Sequence, residues 1–265
     1  MTDLNGKFFW YELMTSDPAA ALAFYGDVVG WTAQAFGGGH DYQVISGSAG
    51  PTGGVMAIPA EAKDCGMKPW WGGYVGSSDV DADAKRLAEA GGAVKRPPED
   101  IPGVGRFAVM SDPGGAVFML LKGSSPEGMD APPPMANGHV GWHELYSGNF
   151  DADLAFYTSQ FGWGKGEAMD MGEMGSYQLF SQSGATDFQS MSGGIMALPK
   201  EMHQPLWLFY FAVPDIDVAT DKVRAGGGTV LNGPVEVPGG AWIIQATDPQ
   251  GAMFALVGMR APELT

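Results

Sequence analysis

The feature that most constrains this chain is that it is written twice. Trp10-Tyr11-Glu12-Leu13 returns as Trp142-His143-Glu144-Leu145, 132 residues later. The same offset carries Ala23-Phe24-Tyr25 onto Ala155-Phe156-Tyr157 and Gly30-Trp31 onto Gly162-Trp163. Gly53-Gly54-Val55-Met56-Ala57 returns as Gly193-Gly194-Ile195-Met196-Ala197, and Asp79-Val80-Asp81 as Asp215-Ile216-Asp217. Pro102-Gly103 returns as Pro238-Gly239, and Asp112-Pro113 as Asp248-Pro249. The order never changes, and the offset drifts by only a few residues, as loop insertions produce. Self-similarity of this kind implies a duplicated domain.

Each copy is itself built from two similar halves. Lys7 to Met14 is aromatic and apolar with alternation, which predicts a strand. Ser16-Asp17-Pro18 then reads as a helix start, with a capping residue and proline at the first helical position. Leu22, Tyr25, Val28 and Val29 keep helical spacing up to Gly30. Strands are expected near Thr32–Phe36, Asp41–Ser46 and Gly54–Ile58, separated by glycine-rich turns. The order then repeats. Trp70 to Ser77 reads as a strand, Asp79 to Ala90 as a helix, and Val94–Arg96, Arg106–Met110 and Ala116–Leu121 as strands. The second copy follows the same plan, so the chain holds four βαβββ units. Residues 1–122 form the first expected domain and 139–260 the second. The segment 123–138, with Pro132-Pro133-Pro134, is a linker by composition.

Composition narrows the function. Of 265 residues, 45% are hydrophobic and 17% charged, which is globular. A net charge of -16 disfavours nucleic acid and anionic membrane surfaces, which need clustered Lys and Arg. A single cysteine, Cys65, excludes an internal disulfide framework and suits a reducing compartment. No signal pattern opens the chain and no apolar run approaches membrane-spanning length, so a cytoplasmic location is expected. Gly37-Gly38-Gly39 and Gly226-Gly227-Gly228 lack the Lys-Ser/Thr and the context of phosphate loops.

A strand, an Asp-led helix carrying Ala-Phe-Tyr and ending Gly-Trp, and a closing Asp-Pro-x-Gly-x-x-Phe strand together resemble the vicinal oxygen chelate superfamily. That group includes glyoxalase I, bleomycin-resistance proteins and extradiol dioxygenases. The resemblance implies an α+β fold in which four βαβββ units pair into two cupped, mixed-sheet half-barrel domains. It also implies that the two halves pack as an intramolecular pseudo-dimer; whether the whole chain forms a homodimer stays open. The family's enzymes hold a divalent metal in the cleft with His, Glu or Gln.

The family's ligand positions fall here on Trp10 and Trp142, on Met119 and Ala255, around Trp71–Gly73 and Trp207–Phe209, and near Gly54–Met56 and Gly194–Met196. None is an ordinary hard-metal ligand. The expectation is therefore no metal cofactor. A one-residue register shift would instead place Tyr11 and His143 at the ligand positions. His143 would then be the first metal ligand, and Fe, Mn, Ni or Zn the alternative cofactor. His40, His139 and His203 read as loop histidines.

Strand alternation places Trp10, Glu12 and Met14 on one face, and Trp142, Glu144 and Tyr146 likewise. Glu12 and Glu144 are the candidate catalytic or ligand-binding carboxylates. In an apolar cleft, desolvation would raise their pKa. Trp10, Trp142, Met56, Met196, Met119, Trp71, Trp207 and Arg106 are the candidate ligand-binding residues. Met169, Met171 and Met174 are read as a loop that could cover a cleft. Two functions follow. One is a metal-independent protein binding a small apolar or aromatic molecule. The other is a metal-dependent lyase, isomerase or dioxygenase acting on a vicinal oxygen substrate. Whether the chain is an enzyme stays open between them.

Overall fold

The structure, a computed structural model, describes residues 3–37, 41–124 and 131–261. His40, two glycines of the first triplet and part of the expected linker lie outside the described residues.

Four modules follow one another. The first is β1 (Phe8–Thr15), α1 (Pro18–Val28), β2 (Thr32–Ala35), β3 (Tyr42–Gly47) and β4 (Gly50–Ala57), followed by a short helix α2 (Ala60–Asp64). The second is β5 (Trp70–Gly76), α3 (Val80–Glu89), β6 (Ala93–Ile101), β7 (Gly105–Ser111) and β8 (Val117–Gly123). The third is β9 (Val140–Ser147), α4 (Phe150–Phe161), β10 (Gly164–Asp170), β11 (Ser176–Ser181) and β12 (Gly193–Ala197). The fourth is β13 (Leu206–Val213), α5 (Ile216–Ala225), β14 (Thr229–Glu236), β15 (Trp242–Thr247) and β16 (Met253–Gly258). The strands form two eight-stranded mixed sheets, ordered β2-β3-β4-β1-β5-β8-β7-β6 and β10-β11-β12-β9-β13-β16-β15-β14. The α+β expectation of four βαβββ units in two sheets holds.

Three helices start as the sequence dictates. Asp17, Asp79 and Asp215 each accept a backbone N–H of the first turn, from Ala20, Ala82 and Val218. Asn149 precedes α4 without a side-chain cap bond. Two segments differ from expectation. β4 begins at Gly50, and β6 runs through Pro97-Pro98 to Ile101. Proline is tolerated there because β6 is an edge strand with register shifts on both sides of Arg96.

The chain divides into two compact units, each drawing on both halves of the repeat. One contains residues 1–10, 72–131 and 143–207; the other contains 11–71, 132–142 and 208–265. The first is therefore chiefly modules two and three, and the second modules one and four.

The repeated motifs hold each unit together. In the second unit the Phe24 and Tyr25 rings of α1 pack edge-on against Phe254 of β16. Trp71 donates its indole N–H to the Tyr25 hydroxyl at 2.9 Å, and Tyr25 donates to Asp248 at 3.1 Å. The first unit repeats the chain of donors: Trp207 to Tyr157 at 2.9 Å, and Tyr157 to Asp112 at 3.1 Å. Asp112 also accepts the backbone N–H of Gly115 and Ala116, closing the turn before β8. The Gly-Trp pair has its own task. Trp31 donates to the Gly138 carbonyl and Trp163 to the Gly6 carbonyl, both at 2.7 Å. The tryptophan of each half thus grips the segment that leads into the other half's first strand.

Candidate functional site

Glu12 and Glu144 occupy equivalent places in the two sheets. Both are buried, at 5% and 6% exposure. In the parallel pairing of β1 with β4, Glu12 lies opposite Gly54, and Met14 opposite Met56. In β9 with β12, Glu144 lies opposite Gly194, and Tyr146 opposite Met196. Residues paired in this way project to the same side of the sheet.

The two facing glycines are required by a residue that sequence reasoning missed. A Cβ on Gly194 would lie 2.2 Å from the Tyr177 ring, and one on Gly54 would lie 2.0 Å from the Tyr42 hydroxyl. Each tyrosine is laid across the strand beside its glutamate. Tyr177 donates its hydroxyl to Glu144 Oε2 at 3.0 Å. Tyr42 pairs with Met56 and Tyr177 with Met196, so carboxylate, phenol and thioether share one face in each half. The preceding glycines, Gly53 and Gly193, are needed for a different reason: a Cβ there would run into the carbonyl oxygens of Tyr11 and His143. The signal for the tyrosines was present. Tyr42 and Tyr177 are themselves a repeat, each just after a glycine-rich stretch.

The other expected site residues divide. Trp10 and Trp142 are half-buried on β1 and β9. Met119 is fully buried, paired with Tyr74 of β5. Trp71 and Trp207 are buried. Both donate to the helix tyrosines, and Trp71 packs on Phe211, which also meets Tyr11. Tyr11 precedes Glu12, so its side chain leaves the opposite face of the strand. Arg106 is bound by two aspartates. Its guanidinium pairs with Asp81 at 2.8 Å and with Asp100 at 3.0 Å on the outside of the second module. The fourth module satisfies the equivalent Asp217 from elsewhere. Arg260 binds it at 2.6 Å and lies 3.6 Å over Trp242, the residue at Arg106's place. Met171 and Met174 are exposed beside a short 3-10 turn, Gly172–Met174.

His143 is a core residue. It stacks on Phe8 at 5.3 Å, and its Nδ1 lies 2.9 Å from the Ser192 carbonyl and 3.3 Å from Gln182 Nε2. Burial pushes its pKa down to about 4, because the charged imidazolium is poorly solvated there. As the neighbour of Glu144 it points to the other side of β9. His139 lies in the loop before β9, as expected, but is buried there, and its Nε2 accepts the Ala49 N–H at 3.2 Å.

These residues do not fit the divalent metal that the family's enzymes carry. The ligand positions hold indole, thioether, methyl and glycine. Among the described residues no three His, Cys, Asp or Glu side chains gather in a group able to hold a metal ion.

Paired βαβββ modules in two mixed sheets, with aromatic and Asp-Pro motifs at their joints, define a duplicated vicinal oxygen chelate protein. The family described as the glyoxalase/bleomycin resistance protein/dioxygenase superfamily matches residues 7–120 and 138–256, and this chain belongs to it. Among curated relatives, the glyoxylase candidate CFP32 of Mycobacterium tuberculosis is 31% identical over 94% of this chain and 93% of its own length. The anthracycline biosynthesis protein DnrV of Streptomyces peucetius is 30% identical over 95% of this chain and 92% of its own. Among solved structures, the 2,3-dioxygenase LapB of Pseudomonas sp. KL28 shares the fold with a TM-score of 0.64 at 15% identity, covering 98% of this chain and 96% of that one. A Mn(II)-bound glyoxalase from Novosphingobium aromaticivorans gives a TM-score of 0.64 at 15% identity, covering 96% and 82%.

Proposed function

We propose that this chain is a metal-independent binding protein of the glyoxalase/bleomycin-resistance type. It takes a small apolar or aromatic molecule against the sheet faces that carry Glu12 and Glu144. The observation that carries this reading is an exchange of chemistry. The metal-ligand positions have apolar side chains, while a buried glutamate beside a tyrosine and a methionine is present in both halves. Such a carboxylate accepts a hydrogen bond from a ligand's donor group and fixes its orientation. Methionine supplies an adaptable apolar wall. Trp10, Trp142 and Met119 belong to the same proposed lining. The names of the relatives, a glyoxylase candidate and an anthracycline biosynthesis protein, accord with a small-molecule role and do not by themselves choose binding over catalysis.

The test is elemental analysis of protein purified without chelator, repeated after incubation with Fe, Mn, Ni and Zn. Metal at background level is expected in every case. Stoichiometric metal would overturn the reading and put a metal-dependent lyase, isomerase or dioxygenase in its place. Glu12→Gln and Glu144→Gln are expected to weaken binding of any small molecule found by screening by roughly ten-fold each, the worth of one hydrogen bond to a charged group.

A further inference from the structure

Tyr177 sits at a boundary. Glu144 is buried, and the run from Asp170 to Ser176 is almost wholly exposed. Tyr177 lies between them, half-buried, with its hydroxyl on Glu144 Oε2 at 3.0 Å and its ring against Gly194. The segment immediately before it turns through Gly172 and Gly175, both at positive φ, with exposed Met171 and Met174 between and beside them. A buried carboxylate that is to receive a ligand must already have partners when the ligand is absent, because an unsatisfied charge in such a place is costly. The phenol supplies a partner of the kind an incoming O–H group would supply. Gly194 makes this possible, since any side chain there would push the ring away.

We propose that Tyr177 is a built-in occupant of the Glu144 site, an internal gate whose hydroxyl holds the place of the ligand's own O–H donor. The inference rests on the ligand-binding reading of the Glu144 face. It adds a class of ligand, a neutral hydroxyl on an apolar body, and a step, displacement of the tyrosine hydroxyl. The first half carries the same parts in Glu12, Tyr42 and Gly54.

The gate and its alternative differ in sign. If Tyr177 is displaced, removing its hydroxyl removes a competitor, and a hydroxyl ligand binds more tightly. If Tyr177 merely orients Glu144 for the ligand, the same change weakens binding. The probe is p-cresol, with toluene as its counterpart lacking the hydroxyl. Binding to the full chain is read from the Met196 methyl resonance, which reports this half alone because Met196 pairs directly with Tyr177. In Tyr177→Phe, p-cresol is expected to bind about ten-fold more tightly than in wild type, the worth of one hydrogen bond, with toluene little changed. Gly194→Ala, which crowds the ring off the carboxylate, is expected to act in the same direction. Equal or weaker p-cresol binding in Tyr177→Phe overturns the gate and leaves the binding reading standing. No response of Met196 to either probe in any of the three proteins overturns the binding reading of this face, and the gate with it.

Discussion

A carboxylate's role here follows from its neighbours. Asp112 is buried beneath the Tyr157 hydroxyl, and Asp153, four residues along from Asn149 in α4, accepts the Gly114 N–H at 2.7 Å in the same turn. Burial first, and then the Asp153 charge, push the Asp112 pKa up to about 7. A raised carboxyl pKa means that the folded protein keeps a proton the unfolded chain releases. Its stabilising contribution is therefore complete below the ordinary carboxylate range and is lost as pH rises toward 7. His143 acts in the opposite sense, since its lowered pKa costs stability as pH falls below the usual histidine range. The two are separated by comparing variants. The stability advantage of wild type over Asp112→Asn is expected to shrink between pH 5 and pH 7, by at most about 1.4 kcal/mol per pH unit. Urea unfolding at fixed pH values measures it, and a constant difference would refute the assignment. None of this was legible in the sequence. Asp112-Pro113 was visible as a repeat, but its partner lies 45 residues away and belongs to the other copy. For Glu144 and His143 the sequence carried more. Consecutive residues of a strand take opposite faces, and that rule separates the glutamate from the histidine, while the histidine's stacking partner, Phe8, lay beyond its reach.

At the level of elements, the order of strands and helices was readable because periodicity and capping are local. The repeat supplied what a single copy would have left ambiguous. Packing was less readable. Trp71 and Trp207 stand on equivalent strands, and alternation alone does not say which side of a sheet receives the helices. The structure resolves this through the indole N–H, which must find an acceptor when buried, and finds it on the helix tyrosines. The Gly-Trp motif follows the same principle. Trp163 ends the turn after α4 and reaches the Gly6 carbonyl, so one side chain ties the start of the chain to the third module. Trp163→Phe keeps the stacking on Phe180 and Tyr157 but leaves Gly6 without this donor. A loss of about 1–2 kcal/mol in unfolding free energy is expected, together with faster hydrogen exchange confined to the first residues before β1. If exchange accelerates evenly through both units, the clamp is not local and this account of the motif fails.

The whole molecule shows why duplication and folding are linked. Neither half of the repeat contains both members of the joints described above. Tyr25 needs Asp248, Tyr157 needs Asp112, Trp31 needs the Gly138 carbonyl and Trp163 that of Gly6. Hydrogen bonds between helix ends add to this, with Arg86 bound to the Gln160 carbonyl and Lys222 to that of Asp27. Each compact unit is therefore assembled from modules of different copies, although each sheet is assembled from the two modules of one copy. A fragment holding residues 1–124 keeps one complete sheet and loses half of both units. It exposes the faces of Phe24, Tyr25 and Phe118, aromatic residues whose burial is worth roughly 2 kcal/mol apiece. Such a fragment is expected to be expanded or self-associating when alone. Mixed with residues 131–265, it is expected to form a one-to-one complex with near-native near-ultraviolet circular dichroism. The comparison that decides is sedimentation of each fragment and of the mixture. If 1–124 sediments as a compact monomer and unfolds as cooperatively as the whole chain, the joints between halves are dispensable. The repeat would then be two independent domains that happen to be joined.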